Sequence, residues 1–343
     1  MKNTINSHLN ITWDRVLIVG FWGNKNMGDE LILLWTVRLL LKQWKQIFIV
    51  SQNNWFLKKF LGQFLSNDQI KWIIFMNELP RWVRGLFKYI FTKKIFDIKT
   101  FFKIDTIILW WWEILTEESP SSYYYRLWSI WPAIILKKTL YIMWWIQIPT
   151  KRFNKFLFNL ILKNTRAIYA RDNKVVEDLQ KFGYKNIEFF MDTSYFAIDD
   201  WKEYKVDPDK GKENYLVVNI NSNGKQFLDE IIKDIKDYLK NNSWKIRIDK
   251  IYYVPICFWK DNDLKYFGEI KARFISGTYV KNIDILPRDK DFKSFLNVLW
   301  GAKIVFGTRL HLYLISQFIW VETKTYPYQK KITKMKKTLE TIF

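Results

Sequence analysis

VLIVGFWGNKNMGDE, residues 16–30, joins an apolar run of strand length to a glycine-rich turn and then to the acidic start of a helix. Gly20, Gly23 and Gly28 permit the tight turn, and the Asn26 side chain can hold it by bonding to backbone. Asp29 and Glu30 fall where the helix begins. Carboxylates there favour the helix dipole but repel phosphate, so the loop is a poor match to a dinucleotide fingerprint. A carboxylate at that place suits accepting a proton from a sugar hydroxyl, and the plainer reading of Asp29 is a helix cap.

The same strand-to-helix rhythm continues outward. After a helix over about 29–43 come IFIV (47–50), a helix to about Phe64, WIIF (72–75), IDTIIL (104–109), LYIM (140–143) and AIYA (167–170), the last running into a further helix. Such alternation is the signature of parallel strands with crossover helices. The charged, Pro- and Gly-containing segment 198–214 breaks it and reads as a linker. LVVNI (216–220), IRIDKIYYVPI (246–256), IDIL (283–286) and KIVFG (303–307) then resume it with helices between them. The expectation is an α/β protein of two doubly wound domains, 1–197 and 215–343, facing a cleft, with ligands beyond the carboxyl ends of the strands.

The 343 residues are long enough for two such domains, and 49% hydrophobic with 26% charged residues is a globular balance. The start of the chain lacks the features of a secretion signal, which leads to the expectation of a cytoplasmic protein, with contact at the inner face of the membrane. Cys257, the single cysteine, has no internal disulfide partner. The net charge of +21 suits an anionic partner, although a chain rich in Lys, Asn, Ile and Phe also fits an AT-rich genome. Nucleic acid is not expected, because no helix-turn-helix, zinc spacing or aromatic RNA-binding signature is present, and no metal cluster is visible.

Tryptophan and glycine are out of proportion: 19 Trp against 12 Gly, where Gly ordinarily makes up roughly 7% of a chain. Many of the Trp residues sit where glycine is physically expected: Trp244 between a helix and a strand, Trp110 to Trp112 in LWWWEIL, Trp144 and Trp145 after LYIM. The reading is that the gene uses UGA for glycine and that UGA is written here as tryptophan. Residues 110–113 then become a GGGE loop ending a strand, with Glu113 closing it and a second glycine pair beside it. Bare N–H groups in such loops could cradle an anion or admit a ligand closely.

FGTRLHLYLISQFIW, residues 306–320, puts Arg309 and His311 just past a strand, where a first helical turn begins. A guanidinium there can grip a carboxylate or phosphate at two points, and an imidazole can exchange a proton near neutral pH. Together with GFWGNKNMGDE, the GGGE loop, YARDNKVVEDLQKFG, MDTSYF and the later YPYQKK, this segment resembles the polysaccharide pyruvyl transferase family over nearly the whole chain. The resemblance implies two Rossmann-like halves similar to the B-type glycosyltransferase (GT-B) fold. It also implies transfer of a pyruvyl group from phosphoenolpyruvate, the co-substrate, to a glycan sugar as a cyclic ketal, with no cofactor.

On that resemblance His311 is the acid, Arg309 with Lys330 or Lys331 grips the donor, and Asp29 accepts from the sugar hydroxyl. Arg171 and Asp172 match a family Arg-Asp pair read as a cap and an ion pair at the cleft. Two departures stand out: Glu322 occupies the usual proline place, and Thr193 follows Asp192 where proline is common.

Two stretches, 81–94 and 151–166, are basic and amphipathic, which suits peripheral contact with an anionic membrane and a lipid-linked acceptor. Two other functions compete: a glycosyltransferase of the same fold using a nucleotide sugar, and a non-enzymatic glycan- or membrane-binding protein.

Overall fold

The protein is seen here in a computed structural model, which describes residues 11, 14–77, 100, 102–114, 134–146, 148–171, 173–190, 192–197, 213–242, 248, 250–258, 262–275, 282–286, 292–328 and 333, without the side chains of 111–114, 144, 145, 195, 196 and 275. The expected linker up to residue 212, the basic stretch 81–94, Asp172, Lys330 and Lys331 lie outside the described residues.

The chain divides into two compact units, one of residues 1–23 and 33–192, the other of 24–32 and 193–343. In the first, β1 (Arg15–Val19), β2 (Gln46–Ser51), β3 (Ile73–Asn77), β4 (Thr106–Ile114), β5 (Thr139–Ile146), β6 (Thr165–Ala170) and β7 (Ile187–Phe189) form a parallel sheet ordered β3-β2-β1-β4-β5-β6-β7. The connections include helices α1 (Met27–Lys42), α2 (Asn54–Leu61), α3 (Asn67–Lys71), α4 (Arg152–Asn164) and α5 (Asn173–Lys181). The second unit holds β8 (Tyr215–Asn219), β9 (Lys250–Tyr253), β10 (Asn282–Ile285), β11 (Val305–Gly307) and β12 (Thr323–Thr325), also parallel, in the order β10-β9-β8-β11-β12. Its helices are α6 (Leu228–Asn242), α7 (Phe267–Ile275), α8 (Phe292–Gly301) and α9 (Leu310–Phe318).

Both strand orders reverse direction next to the first strand of the sheet, between β1 and β4 and between β8 and β11. Neighbouring crossovers leave to opposite sides at such a point, which opens a crevice beyond the strand ends. In the second sheet those ends are Asn219 and Gly307, which stand opposite each other in register. Burial explains why the strands form: β8 is buried at every residue, and Leu216, Val218, Ile251, Tyr253 and Phe306 pack with Ile231 and Ile235 of α6. Strands covered on both faces need such near-continuous apolar runs. The first unit has its own core around Leu17, Ile107, Ile142 and Ile168.

Two expectations are corrected. The segment read as a GGGE loop is strand: β4 runs on through Trp110, Trp111, Trp112 and Glu113, and β5 through Trp144 and Trp145. Tryptophan at these places favours strand. Trp110 is buried, edge-on to Trp35 at 6.3 Å, and the irregularity is reduced to a register slip between Trp111 and Ile114. The second correction concerns the helix start. α1 begins at Met27 and not at Asp29, with Asn26 just before it, so Asp29 lies within the first turn and does not cap it.

Candidate functional site

Within the second unit, residues 24–32 meet the loop after β9 and the start of α9. Asn26 makes an antiparallel bridge with Cys257, the Met27 N–H donates to the Ile256 carbonyl (3.2 Å), and the Phe258 N–H donates to the Lys25 carbonyl (3.2 Å). The Asn26 side chain holds the turn as its sequence position suggested. Its Oδ1 accepts from the Gly28 N–H (3.3 Å), and its Nδ2 donates to Asp29 Oδ2 (2.7 Å). Asp29 and Glu30 are both buried.

Gly28 is where the two sequence signals meet. A Cβ on this residue would stand 1.8 Å from His311 Nδ1 and 2.1 Å from its Cγ, so the imidazole lies directly on the bare glycine backbone. His311 is buried in the first turn of α9. Gly20 and Gly23 belong elsewhere, to the first unit: Gly23 takes φ +80 beside Ser51, and Gly20 packs under the Trp22 indole.

Arg309 is the residue before α9 and lies beyond the end of β11, at the strand-order reversal. Its guanidinium is anchored by a residue the sequence reading missed. Asp263, fully buried, receives Arg309 Nε (3.1 Å) and Nη2 (2.5 Å) at Oδ1. Its Oδ2 accepts from Asn219 Nδ2 (2.9 Å) and from the N–H groups of Ile256 (2.9 Å) and Cys257 (3.2 Å). A buried carboxylate is costly unless so paired, and this one converts that cost into a fixed position for the guanidinium. Tyr253 stiffens the same loop, its single O–H shared between the Ile220 carbonyl (2.8 Å) and the Asp263 carbonyl (2.5 Å). Burial, and then the Asp263 charge, pushes its phenol far up, so it stays a donor. Nothing in DNDLKYF signalled this role, because the partner lies 46 residues away in sequence.

Around the end of β8, Thr308 Oγ1 donates to Asn221 Oδ1 (3.0 Å) and accepts from the Asn221 N–H (3.0 Å), while the Gly224 N–H donates to Asn221 Oδ1 (2.7 Å). This knits the loop after β8 to the residue preceding Arg309. The structure therefore brings Asn26, Gly28, Asp29 and Glu30 together with Arg309 and His311 in one unit. Arg171 is placed apart, in the first unit, where it donates to the buried Asp192 (3.1 Å).

The family model for polysaccharide pyruvyl transferase matches residues 26–316, from the turn asparagine to the middle of α9. The chain belongs to the polysaccharide pyruvyl transferase family. Membership of this family indicates a transferase, and both halves of the cluster around Gly28 and His311 fall inside the matched span, whereas Gly20, Gly23 and the Lys330–Lys331 pair fall outside it. No curated protein matches the chain.

Among solved structures, the chain is similar to the UDP-GlcNAc 2-epimerase from Neisseria meningitidis bound to UDP-GlcNAc, at 10% identity and TM-score 0.56, covering 96% of this chain and 90% of that one. It is similar also to the Methanocaldococcus jannaschii UDP-GlcNAc 2-epimerase in complex with UDP-GlcNAc and UDP, at 12% identity and TM-score 0.54, covering 96% and 92%. Glycyrrhiza uralensis UGT73P12 complexed with glycyrrhetinic acid 3-O-monoglucuronide gives 10%, 0.53, 94% and 79%. At such identities the likeness is one of fold: this pyruvyl transferase family member has the α/β architecture of the GT-B type.

Proposed function

We propose that the protein transfers a pyruvyl group from phosphoenolpyruvate to two hydroxyls of one sugar in a cell-envelope or exopolysaccharide glycan. The observation that carries the reading is the seating of His311 on Gly28, one residue before Asp29, with Asp263 anchoring Arg309 two residues before His311. His311 protonates the methylene carbon of the enol, which leaves the neighbouring carbon electrophilic. A sugar hydroxyl attacks that carbon and loses its proton, for which Asp29 is the acceptor. The C–O bond to phosphate then breaks, and a second hydroxyl closes the ketal as its proton leaves with the phosphate. Arg309, with Lys330 or Lys331, holds the donor's anionic groups.

The burial of His311 and Asp29 supports this chemistry, since proton transfer to carbon gains from a site in which water does not compete. No cofactor enters the scheme. The test is phosphate release from phosphoenolpyruvate in the presence of glycan extracted from the producing cells, with the ketal methyl group followed by NMR. Release that needs both substrates and falls by about 10²- to 10⁴-fold in His311→Ala is the expected result. Nucleotide release from UDP-sugars with no dependence on phosphoenolpyruvate would sink the reading in favour of a glycosyltransferase.

A further inference from the structure

Helix α4 presents two of its three phenylalanines to the outside. Asn154, Phe158 and Ile161 are buried, whereas Phe153 and Phe156 are 62% and 58% exposed. At about 3.6 residues per turn, the direction opposite the buried trio is taken by Arg152, Phe156 and Lys163, with Phe153 to one side. A surface helix ordinarily places such a pair inside and the asparagine out. Lys151 and Lys155 are exposed as well, and the helix carries no acid. The outward face thus carries Phe153 and Phe156 side by side with cations.

An anionic bilayer supplies both complements at the right depths, with charge at the headgroups and hydrocarbon just below them. A second copy of this chain does not, since each copy carries +21. We propose that α4 lies in the interface of an anionic lipid bilayer, with Phe153 and Phe156 among the upper acyl chains and the cations among the headgroups. With 13 residues the helix is shorter than the about 20 a crossing requires, so this is attachment along the surface. The surface is independent of the donor chemistry.

The test is co-sedimentation with vesicles of phosphatidylglycerol and phosphatidylcholine in equal parts, beside vesicles of phosphatidylcholine alone. The protein is expected on the first and not the second, and to release as salt rises. Phe153→Ser with Phe156→Ser changes exposed side chains only, and should lower the partition coefficient by roughly tenfold per ring with an unchanged melting curve. Arg152→Gln should lower it by about fivefold. Equal binding to both vesicles, binding to neither, or a double variant that binds as well as the parent overturns the proposal. A dimer that the double variant converts to monomer, with no vesicle binding, assigns the face to a second copy and also overturns it.

The ends of three helices carry a second inference independently. After α5, the N–H groups of Gly183 and Tyr184 donate back to the carbonyls of Gln180 (2.9 Å) and Leu179 (3.0 Å), with Gly183 at φ +97. After α1, Trp44 and Lys45 donate in the same pattern to Leu41 and Leu40 (3.1 Å each), with Trp44 at φ +58. After α9, Trp320 and Val321 donate to Gln317 (3.1 Å) and Ser316 (2.9 Å), with Trp320 at φ +54. All three are the Schellman ending, whose left-handed residue is ordinarily glycine. The indoles at 44 and 320 are 79% and 78% exposed, so little packing offsets the strained backbone.

We infer that positions 44 and 320 are glycine in the protein made by the native organism, through UGA codons read there as glycine. The excess of Trp over Gly in the whole chain points the same way. The tryptic peptide of residues 310–324 has Trp320 as its one tryptophan. Its mass in protein from native cells is expected to match glycine at that place, and a mass matching tryptophan overturns the inference.

Discussion

Gly28 is a residue whose value lies in what it lacks. Any side chain there meets the His311 ring at less than van der Waals distance, so Gly28→Ala must displace the imidazole. Since about 1 Å of misplacement can cost on the order of 100-fold in rate, phosphate release in Gly28→Ala should fall by about that much while the far-ultraviolet spectrum is retained. Adding Gly28→Ala to His311→Ala should then cost little more, because the two changes act on one group. Trp320 is the opposite case, a side chain where none is needed. Trp320→Gly relieves a left-handed backbone worth about 1–2 kcal/mol and loses up to about 1 kcal/mol through the freer unfolded chain. A net gain of about 1 kcal/mol is expected, seen as a rise of about 2 °C in Tm. Trp55→Gly is the control of opposite sign: it is as exposed but lies within α2 in ordinary helical backbone, where glycine costs about 1 kcal/mol. At this scale Gly28, His311 and Arg309 could be picked out from the sequence, because their types and positions after strands are unusual. Asp263 could not, since its side-chain partners Asn219 and Arg309 come from two distant segments.

At the scale of elements, one carboxylate ties the short edge strand β12 and the residue after it to α6. Asp234 accepts from Tyr326 Oη (2.6 Å) and pairs with Lys324 Nζ (2.7 Å). Burial alone pushes Asp234 up, but the hydrogen bonds from Lys324 and Tyr326 and the charge of Lys324 together hold it below the usual carboxylate range. A carboxylate lowered by folding stabilises the native state above its unfolded value of about 3.9, and that contribution is lost as the pH falls through the folded value. Asp234→Asn should therefore lower Tm at pH 7, and the difference from the parent should shrink below about pH 4. A difference that stays constant between pH 7 and pH 3 would remove the carboxylate from the account. The strands themselves were legible, because parallel strands covered on both faces read as unbroken apolar runs such as VLIV and LVVN. The ends of β4 and β5 were not. A loop was expected there on the reading of these positions as glycine, whereas with tryptophan in place the strands continue through them.

For the whole molecule, chain order is a poor guide to which residues cohere. The sequence suggested a first domain over 1–197, bounded by the segment 198–214 read as a linker. Contacts instead group 24–32 with 193–343, because the turn after β1 bonds to the loop after β9 and Gly28 sits on His311. Sequence periodicity reports what each element buries and is silent on pairings across more than 200 residues. The grouping has a measurable consequence. A fragment of residues 193–343 lacks the partners of the Ile256 carbonyl and the Phe258 N–H and uncovers one face of the His311 ring. Two backbone hydrogen bonds at about 1 kcal/mol each, with the lost burial, are a sizeable part of a stability of about 5–15 kcal/mol. The fragment should melt below the intact chain and with a broader transition, and a peptide of residues 24–32 should raise its Tm as its concentration increases. The same peptide with Gly28→Ala should fail to do so, since its methyl group would meet the imidazole. A fragment that melts sharply and ignores both peptides would mean that 24–32 rests on the second unit without supporting it.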